Sequence, residues 1–129
     1  MIDHLGLVVS DYERSKDFYL HALKPLGIAI IMEVTGEQTG GEVATGFGKG
    51  QKPFFWIGAG VESKGEVHIA FTADDRKTVD EFYAAATAAG GRDNGKPGLR
   101  PHYHPNYYGA FVFDPDGNNI EAVCHAPEV

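Results

Sequence analysis

Laid over itself with a shift of sixty-four residues, the chain matches His4 to His68, Asp11 to Asp75, Phe18 to Phe82, Tyr19 to Tyr83, Ala22 to Ala86 and Gly27 to Gly91. That is six identities across the 24 positions from His4 to Gly27, where unrelated stretches of ordinary composition would give roughly one or two. The matched stretches also read alike: an apolar run carrying a His, an acidic cap, then a helix with an aromatic pair. One supersecondary unit is used twice. A unit of about 60 residues buries little surface alone, so the two halves are expected to cover each other. The expected organisation is a single domain over 1–129, with modules at 1–60 and 65–125.

Within each half the local signals agree. Ile2 to Val9 is an apolar, branched run of strand length. Ser10-Asp11-Tyr12-Glu13 follows as a capping-box pattern that starts a helix. Phe18, Tyr19, Ala22, Leu23 and Leu26 give that helix an apolar face, and Pro25 and Gly27 end it. Ile28 to Val34 reads as a strand. Glu42 to Phe47 and Pro53 to Ile57 flank a hairpin turn at Gly48-Lys49-Gly50-Gln51. Gly58 to Gly65 reads as a linker, after which the pattern restarts with a strand over Glu66 to Ala73. Asp74 or Asp75 caps a helix with Val79, Phe82, Tyr83 and Ala86 on its apolar face, closed by Gly90-Gly91. Arg92 to Pro101 holds two glycines and two prolines, so any strand there is expected to be short. Tyr108 to Phe113 and Asn118 to Cys124 flank Asp114-Pro115-Asp116-Gly117, with proline and glycine where a type I turn favours them. Each half is thus an expected β-α-β-β-β unit, and the fold class is α+β.

Strand parity then picks out three side chains. In the first strand Leu5, Leu7 and Val9 share a face suited to packing under the helices, which sends His4 to the opposite, concave side. In the second copy Ile69 and Phe71 take the helix side, so His68 is concave too. In the last strand Ile120, Ala122 and Cys124 form the small apolar face and Glu121 lies opposite. Two imidazoles and a carboxylate on rigid strands make a site for one divalent ion, with positions left open to water or substrate.

Composition excludes several alternatives. The formal charge of -7 argues against nucleic acid or an anionic membrane as the main partner. No apolar stretch approaches the roughly 20 residues that span a bilayer. The single Cys124 rules out an internal disulfide or a thiolate cluster, and is expected to be a small packed residue. Met1-Ile2-Asp3-His4 shows no signal-peptide pattern, so a cytoplasmic location is the default expectation.

Three stretches resemble the vicinal oxygen chelate superfamily, which includes glyoxalase I, extradiol dioxygenases and the fosfomycin- and bleomycin-resistance proteins. They are Ile2-Asp3-His4-Leu5-Gly6-Leu7-Val8-Val9, Val67-His68-Ile69-Ala70-Phe71, and Phe113-Asp114-Pro115-Asp116-Gly117-Asn118-Asn119-Ile120-Glu121, the last being the most diagnostic. The resemblance covers nearly the whole chain. It implies paired β-α-β-β-β modules curling into an open barrel with the helices outside, and a metal chelated by two adjacent substrate oxygens. It further implies a homodimer, with the ligands drawn from one chain or from two. Glyoxalase I proteins usually add a fourth ligand, Glu or Gln, from the last strand of the first module. The corresponding stretch here, Phe54-Phe55-Trp56-Ile57, offers only apolar residues. What remains is similar to the two-histidine, one-glutamate set of extradiol dioxygenases, which hold iron(II).

Arg100-Pro101-His102-Tyr103-His104-Pro105-Asn106-Tyr107-Tyr108 precedes the strand that pairs with the Glu121 strand and is expected to overhang the ion. His102 and His104 are candidates to move a proton, as are Glu121 and Tyr108. Arg100 is a candidate to grip a carboxylate or phosphate. Tyr103 and Tyr107 are candidates to orient a substrate, and Trp56 to wall the pocket. His-x-His can also bind a metal, so His102 and His104 compete with the trio. His21 and His125 are expected at the surface. The leading expectation is a glyoxalase-like lyase or isomerase acting on a small substrate through Ni, Zn, Mn or Fe. The alternatives are iron(II) ring cleavage of a catechol-like substrate and a small-molecule binding protein without catalysis.

Overall fold

The computed structural model describes residues 2–39, 43–60 and 67–128. The first module runs β1 (Leu5–Val9), α1 (Tyr12–Ala22), β2 (Ala29–Val34), a short helix α2 (Gly36–Thr39), β3 (Ala44–Lys49) and β4 (Lys52–Ala59). The second runs β5 (His68–Thr72), α3 (Arg76–Ala88), β6 (Arg92–Leu99), β7 (Tyr108–Phe113) and β8 (Asn119–Cys124). They form two curved four-stranded sheets, ordered β1-β4-β3-β2 and β5-β8-β7-β6. In each the first strand lies parallel to the last, β1 on β4 and β5 on β8, and the other pairings are antiparallel. The sequence repeat is therefore a repeat of topology. Each module is an α+β unit, and the two sheets stay separate.

The helices begin where acidic caps place them. Asp11 accepts the Arg14 backbone N–H at 3.2 Å, and Asp75 accepts the Thr78 N–H at 2.7 Å. Each satisfies a donor that the first turn leaves orphaned. Ser10 is not the cap that a capping box requires. Its hydroxyl and N–H are both taken by Asp116 of the second module. A single 3-10 turn over Lys24–Leu26 follows α1 and ends on Gly27 at φ 76°, a left-handed conformation that glycine adopts without a Cβ clash.

One face of each sheet joins the helices in one continuous core. Phe18, Tyr19, Leu23, Phe47, Phe55 and Ile57 of the first module meet Phe71, Val79, Phe82, Val112 and Ile120 of the second. Phe55 and Phe71 meet edge to face at 5.5 Å across the module boundary. The helices also touch each other. A second link is polar. The Tyr19 hydroxyl donates to Asp114 Oδ2 at 2.5 Å, tying α1 to the Asp-Pro-Asp-Gly turn. That turn forms as read, with Gly117 N–H on the Asp114 carbonyl at 2.9 Å and Gly117 at φ 84°. No helix among the described residues is long and apolar enough to cross a membrane.

Four boundaries differ from the reading of the sequence. β1 starts at Leu5, so His4 precedes the strand. The turn after β3 is shorter than expected, because Gly48 and Lys49 continue the ladder to Pro53 and Lys52. The short helix α2 has no counterpart in that reading. The largest difference is β6, which runs eight residues despite its prolines and glycines. It is an edge strand, where Pro97 need not donate to a ladder. Its pairing with β7 shifts register on either side of Gly95, so irregularities absorb what a regular strand would reject. Glu42, Glu66 and most of the expected linker lie outside the described residues.

Candidate metal and substrate site

Period-two alternation governs the open faces. β5 alternates strictly, with Ile69 and Phe71 buried and His68, Ala70 and Thr72 exposed. On β8, Ile120, Ala122 and Cys124 pack toward the core, so Glu121 points to the other face. There it is 1% exposed. Burial of a carboxylate requires partners for its oxygens, and Glu121 has two. His68 Nε2 stands 2.8 Å from Oε1, and the Tyr107 hydroxyl donates to Oε2. Gly109 makes the arrangement possible, because a Cβ there would sit 3.2 Å from the Tyr107 ring and 3.3 Å from Glu121 Oε2. Burial first, and then the bond to Glu121 and its charge, hold the Tyr107 phenol far above its usual range. It stays a proton donor to the carboxylate.

The stretch from Arg100 to Tyr107 closes on itself above this pair. Arg100 N–H bonds the Tyr107 carbonyl at 2.7 Å, and Tyr107 N–H bonds the His104 carbonyl at 3.1 Å. Tyr103 packs on Tyr107 at 5.1 Å, and His102 on Tyr103 at 4.1 Å. His104 Nδ1 accepts the Asn106 N–H at 3.0 Å, which leaves Nε2 as its outward nitrogen. The Arg100 guanidinium lies over Phe111 at 5.4 Å and donates to the carbonyls of Gly98 and Lys96, each at 2.8 Å. Phe111 in turn lies 6.2 Å from the His68 ring.

Two expected participants lie elsewhere. Tyr108 follows Tyr107 by one residue and so faces the helices. Its hydroxyl donates to Asp80 of α3 at 2.6 Å. That bond first, and then burial, push its phenol up to about 12. His4 lies just before β1, at the end of the other sheet. It is 59% exposed, with Nδ1 2.7 Å from Asp3 Oδ2, and it borders a hollow of about 520 Å³ that Trp56 also lines. Among the described residues no three His, Cys, Asp or Glu side chains gather to hold a metal ion. Within one chain, then, His68 and Glu121 stand together and His4 stands apart.

The register relates Trp56 of the first module to Glu121 of the second. Gly6 lies opposite Trp56 on the parallel pair β1 and β4, and Ala70 lies opposite Glu121 on the pair β5 and β8. The repeat equates Gly6 with Ala70, so Trp56 occupies in the first module the place of Glu121 in the second. One neighbour of the site was missed by sequence reasoning. His125, just beyond β8, packs its ring against Tyr107 at 5.1 Å and against His104 at 5.5 Å. Only its position four residues past Glu121 hinted at this.

The donors suit a borderline divalent ion: an imidazole nitrogen and a carboxylate oxygen already within 2.8 Å of each other. His68 is 52% exposed and can turn without disturbing the core.

The family profile described as Glyoxalase/Bleomycin resistance protein/Dioxygenase superfamily matches residues 1–122. The chain is similar to a glyoxalase/bleomycin resistance protein from Albidiferax ferrireducens, with a TM-score of 0.72 and 28% identity over 98% of this chain and 99% of that one. It is similar to a glyoxalase I variant from Zea mays, with a TM-score of 0.71 and 23% identity over 95% of this chain and 46% of that one. This chain therefore spans about half of the maize protein. A fosfomycin resistance protein from Listeria monocytogenes, solved with Mn(II) and sulfate, gives a TM-score of 0.68 at 17% identity over 96% of this chain and 91% of that one. The last two likenesses are of fold alone. No curated protein sequence matches the chain.

Proposed function

We propose that this chain, which belongs to the Glyoxalase/Bleomycin resistance protein/Dioxygenase superfamily, is a metal-dependent lyase or isomerase acting on a small substrate with two adjacent oxygens. His68 and Glu121 of one copy and His4 of a second copy would hold the ion. When bound, the ion supplies Lewis acidity to the substrate oxygens. The carrying observation is the buried Glu121 carboxylate with His68 at 2.8 Å on an open sheet face, while the equivalent His4 is exposed at the border of the hollow beside the first sheet. A homodimer that sets one open face against the other would unite them. Exposed Ile2, Met32 and Leu99 give such an assembly apolar surface to bury.

The remaining roles fall to the chain's own groups. Tyr107 holds Oε2 of Glu121, so that the carboxylate and the His68 imidazole would be the groups of this face that hold the ion. Arg100, on the Phe111 ring, is placed to meet an anionic substrate group. Tyr103 covers Tyr107, and His102 and His104 on the same loop are placed to exchange protons at the mouth. A second reading, ring cleavage on iron(II), is favoured by Trp56 standing where a fourth ligand would be, which leaves a two-histidine, one-carboxylate set.

Mixing subunits tests the site. His4→Ala and His68→Ala should each abolish tight binding of Zn, Ni, Mn or Fe in calorimetric titration. A mixed dimer of the two variants should regain one site, since it pairs an intact His4 with an intact His68 and Glu121. Metal binding by His4→Ala equal to wild type, or none by wild type, would refute the shared site. In the metal-loaded protein, oxygen uptake with a catechol would select the oxygenase reading.

A further inference from the structure

Trp56 is the single tryptophan of the chain, and it does not belong to the core. It is half-buried, and it stands outside both the buried cluster and the hydrophobics packed on that cluster. It lies at the middle of the first sheet's open face. Gly6 is its neighbour on β1 and Gly46 its neighbour on β3. A Cβ on Gly46 would come within 2.9 Å of indole Cη2 and Cζ2, so the ring lies down on that glycine. Among the described residues a Cβ on Gly6 would meet nothing within 4 Å, so they leave the other flank of the indole open. Gly58, Ala44, Val8 and His4 also line the hollow of about 520 Å³, which is within the range of small-ligand pockets. Among the described residues the indole N–H has no hydrogen-bond partner.

An indole supported from below and open beside it forgoes packing that a core aromatic would gain. A flat ring stacked against it would recover that packing in the offset geometry that aromatic pairs favour. Among the described residues nothing lining the hollow carries a fixed charge, and His4 is the one titratable member. We propose that this hollow takes a planar, uncharged aromatic ring, stacked on Trp56, as the apolar part of the substrate. The placing of that substrate's oxygens rests on the metal site proposed above, but the stacking does not.

The single tryptophan makes the test direct. Nitrogen-labelled full-length protein, stripped of metal with a chelator, is titrated with a naphthalene diol bearing adjacent hydroxyls while its one indole N–H resonance is followed. A cyclohexane diol with the same adjacent hydroxyls is the non-planar control. A saturable shift is expected with the first and none with the second. By equilibrium dialysis, Trp56→Leu, checked for fold by circular dichroism, should weaken the naphthalene diol by about threefold to tenfold. Gly46→Ala, which displaces the ring, should also weaken it. Equal binding of the two diols, or wild-type affinity in Trp56→Leu, overturns the proposal. So does an indole resonance that moves on dilution of the protein alone and ignores the probe, because a second copy would then cover the ring. Zinc titration of the same samples separates the two ideas. In the wild-type protein, zinc binding without any response to the naphthalene diol ends this proposal only, and a saturable response to the diol without zinc binding ends only the metal reading.

Discussion

Removing one oxygen, by Tyr19→Phe, tests how the two modules are held in register. Asp114 is 2% exposed and its carboxylate accepts four donors. Oδ1 takes the N–H groups of Asp116 at 2.9 Å and Asn118 at 2.8 Å, and Oδ2 takes Asn118 Nδ2 at 2.8 Å and the Tyr19 hydroxyl at 2.5 Å. Without the hydroxyl, Oδ2 keeps one partner in a site closed to water. The ring itself stays packed, edge to face with Phe18 and Phe55 at 4.9 Å each, so little cavity cost is added. A hydrogen bond to a charged group contributes about 1.5–3 kcal/mol, and the expected loss is about 2 kcal/mol. For a domain of this size that is a fall in Tm of about 6–10 °C. Urea unfolding should show a lower midpoint at unchanged slope. Combined with Asp114→Asn, the variant should give a coupling energy of about 1–3 kcal/mol. A loss below about 0.5 kcal/mol, or strict additivity of the pair, would refute the idea that this bond fastens α1 to the second module.

Gly91→Ala places a Cβ 2.5 Å from Val112 Cγ1 and 2.7 Å from Phe18 Cε1. It should destabilise by about 1–3 kcal/mol in the same assay, and a neutral result would show that the core yields there. Tyr107→Phe leaves Glu121 Oε2 without its donor and should weaken zinc binding about tenfold or more, read by competition with a chromophoric chelator. An unchanged affinity would remove Tyr107 from the site's support. Above about pH 10, Tyr108, raised to about 12, and Tyr19, held well above its usual range by burial and by Asp114, keep protons that the unfolded chain has released. Stability should therefore be flat below about pH 10 and fall as pH rises beyond it, reducing the urea midpoint. A midpoint unchanged through that interval would contradict the placement of both phenols.

Local chemistry was legible in the sequence because its causes are local. Asp11 and Asp75 cap helices through their own side chains, and Asp114 to Gly117 turn on proline and glycine. The alternation around His68 and Glu121 depends only on which neighbours are apolar. β6 was misjudged because tolerance of Gly95 and Pro97 depends on lying at a sheet edge, which composition does not report. Tyr107 and Tyr108 could be told apart only through register. Glu121 is opposite Phe111, so Phe111, Gly109 and Tyr107 share its face and Tyr108 does not.

The place of His4 was illegible for a deeper reason. A repeat equates His4 with His68, but equivalent positions in two modules are related by a rotation and need not be near each other. Parity puts each histidine on the open face of its own sheet and is silent on whether those faces meet. In this chain the core forms between the helices and the opposite faces, so both open faces point away from it. The modules have also diverged at one structural position, a carboxylate at Glu121 and an indole at Trp56. Two identical half-sites would make His4 and His68 interchangeable. This divergence makes them unequal beyond the metal, whose tight binding needs both: loss of His68 removes the partner of Glu121 itself, whereas loss of His4 also alters the border of the Trp56 hollow. His68→Ala should therefore spare the binding of a flat aromatic ring that His4→Ala perturbs, and equal effects of the two changes on that binding would mean that the faces are not specialised.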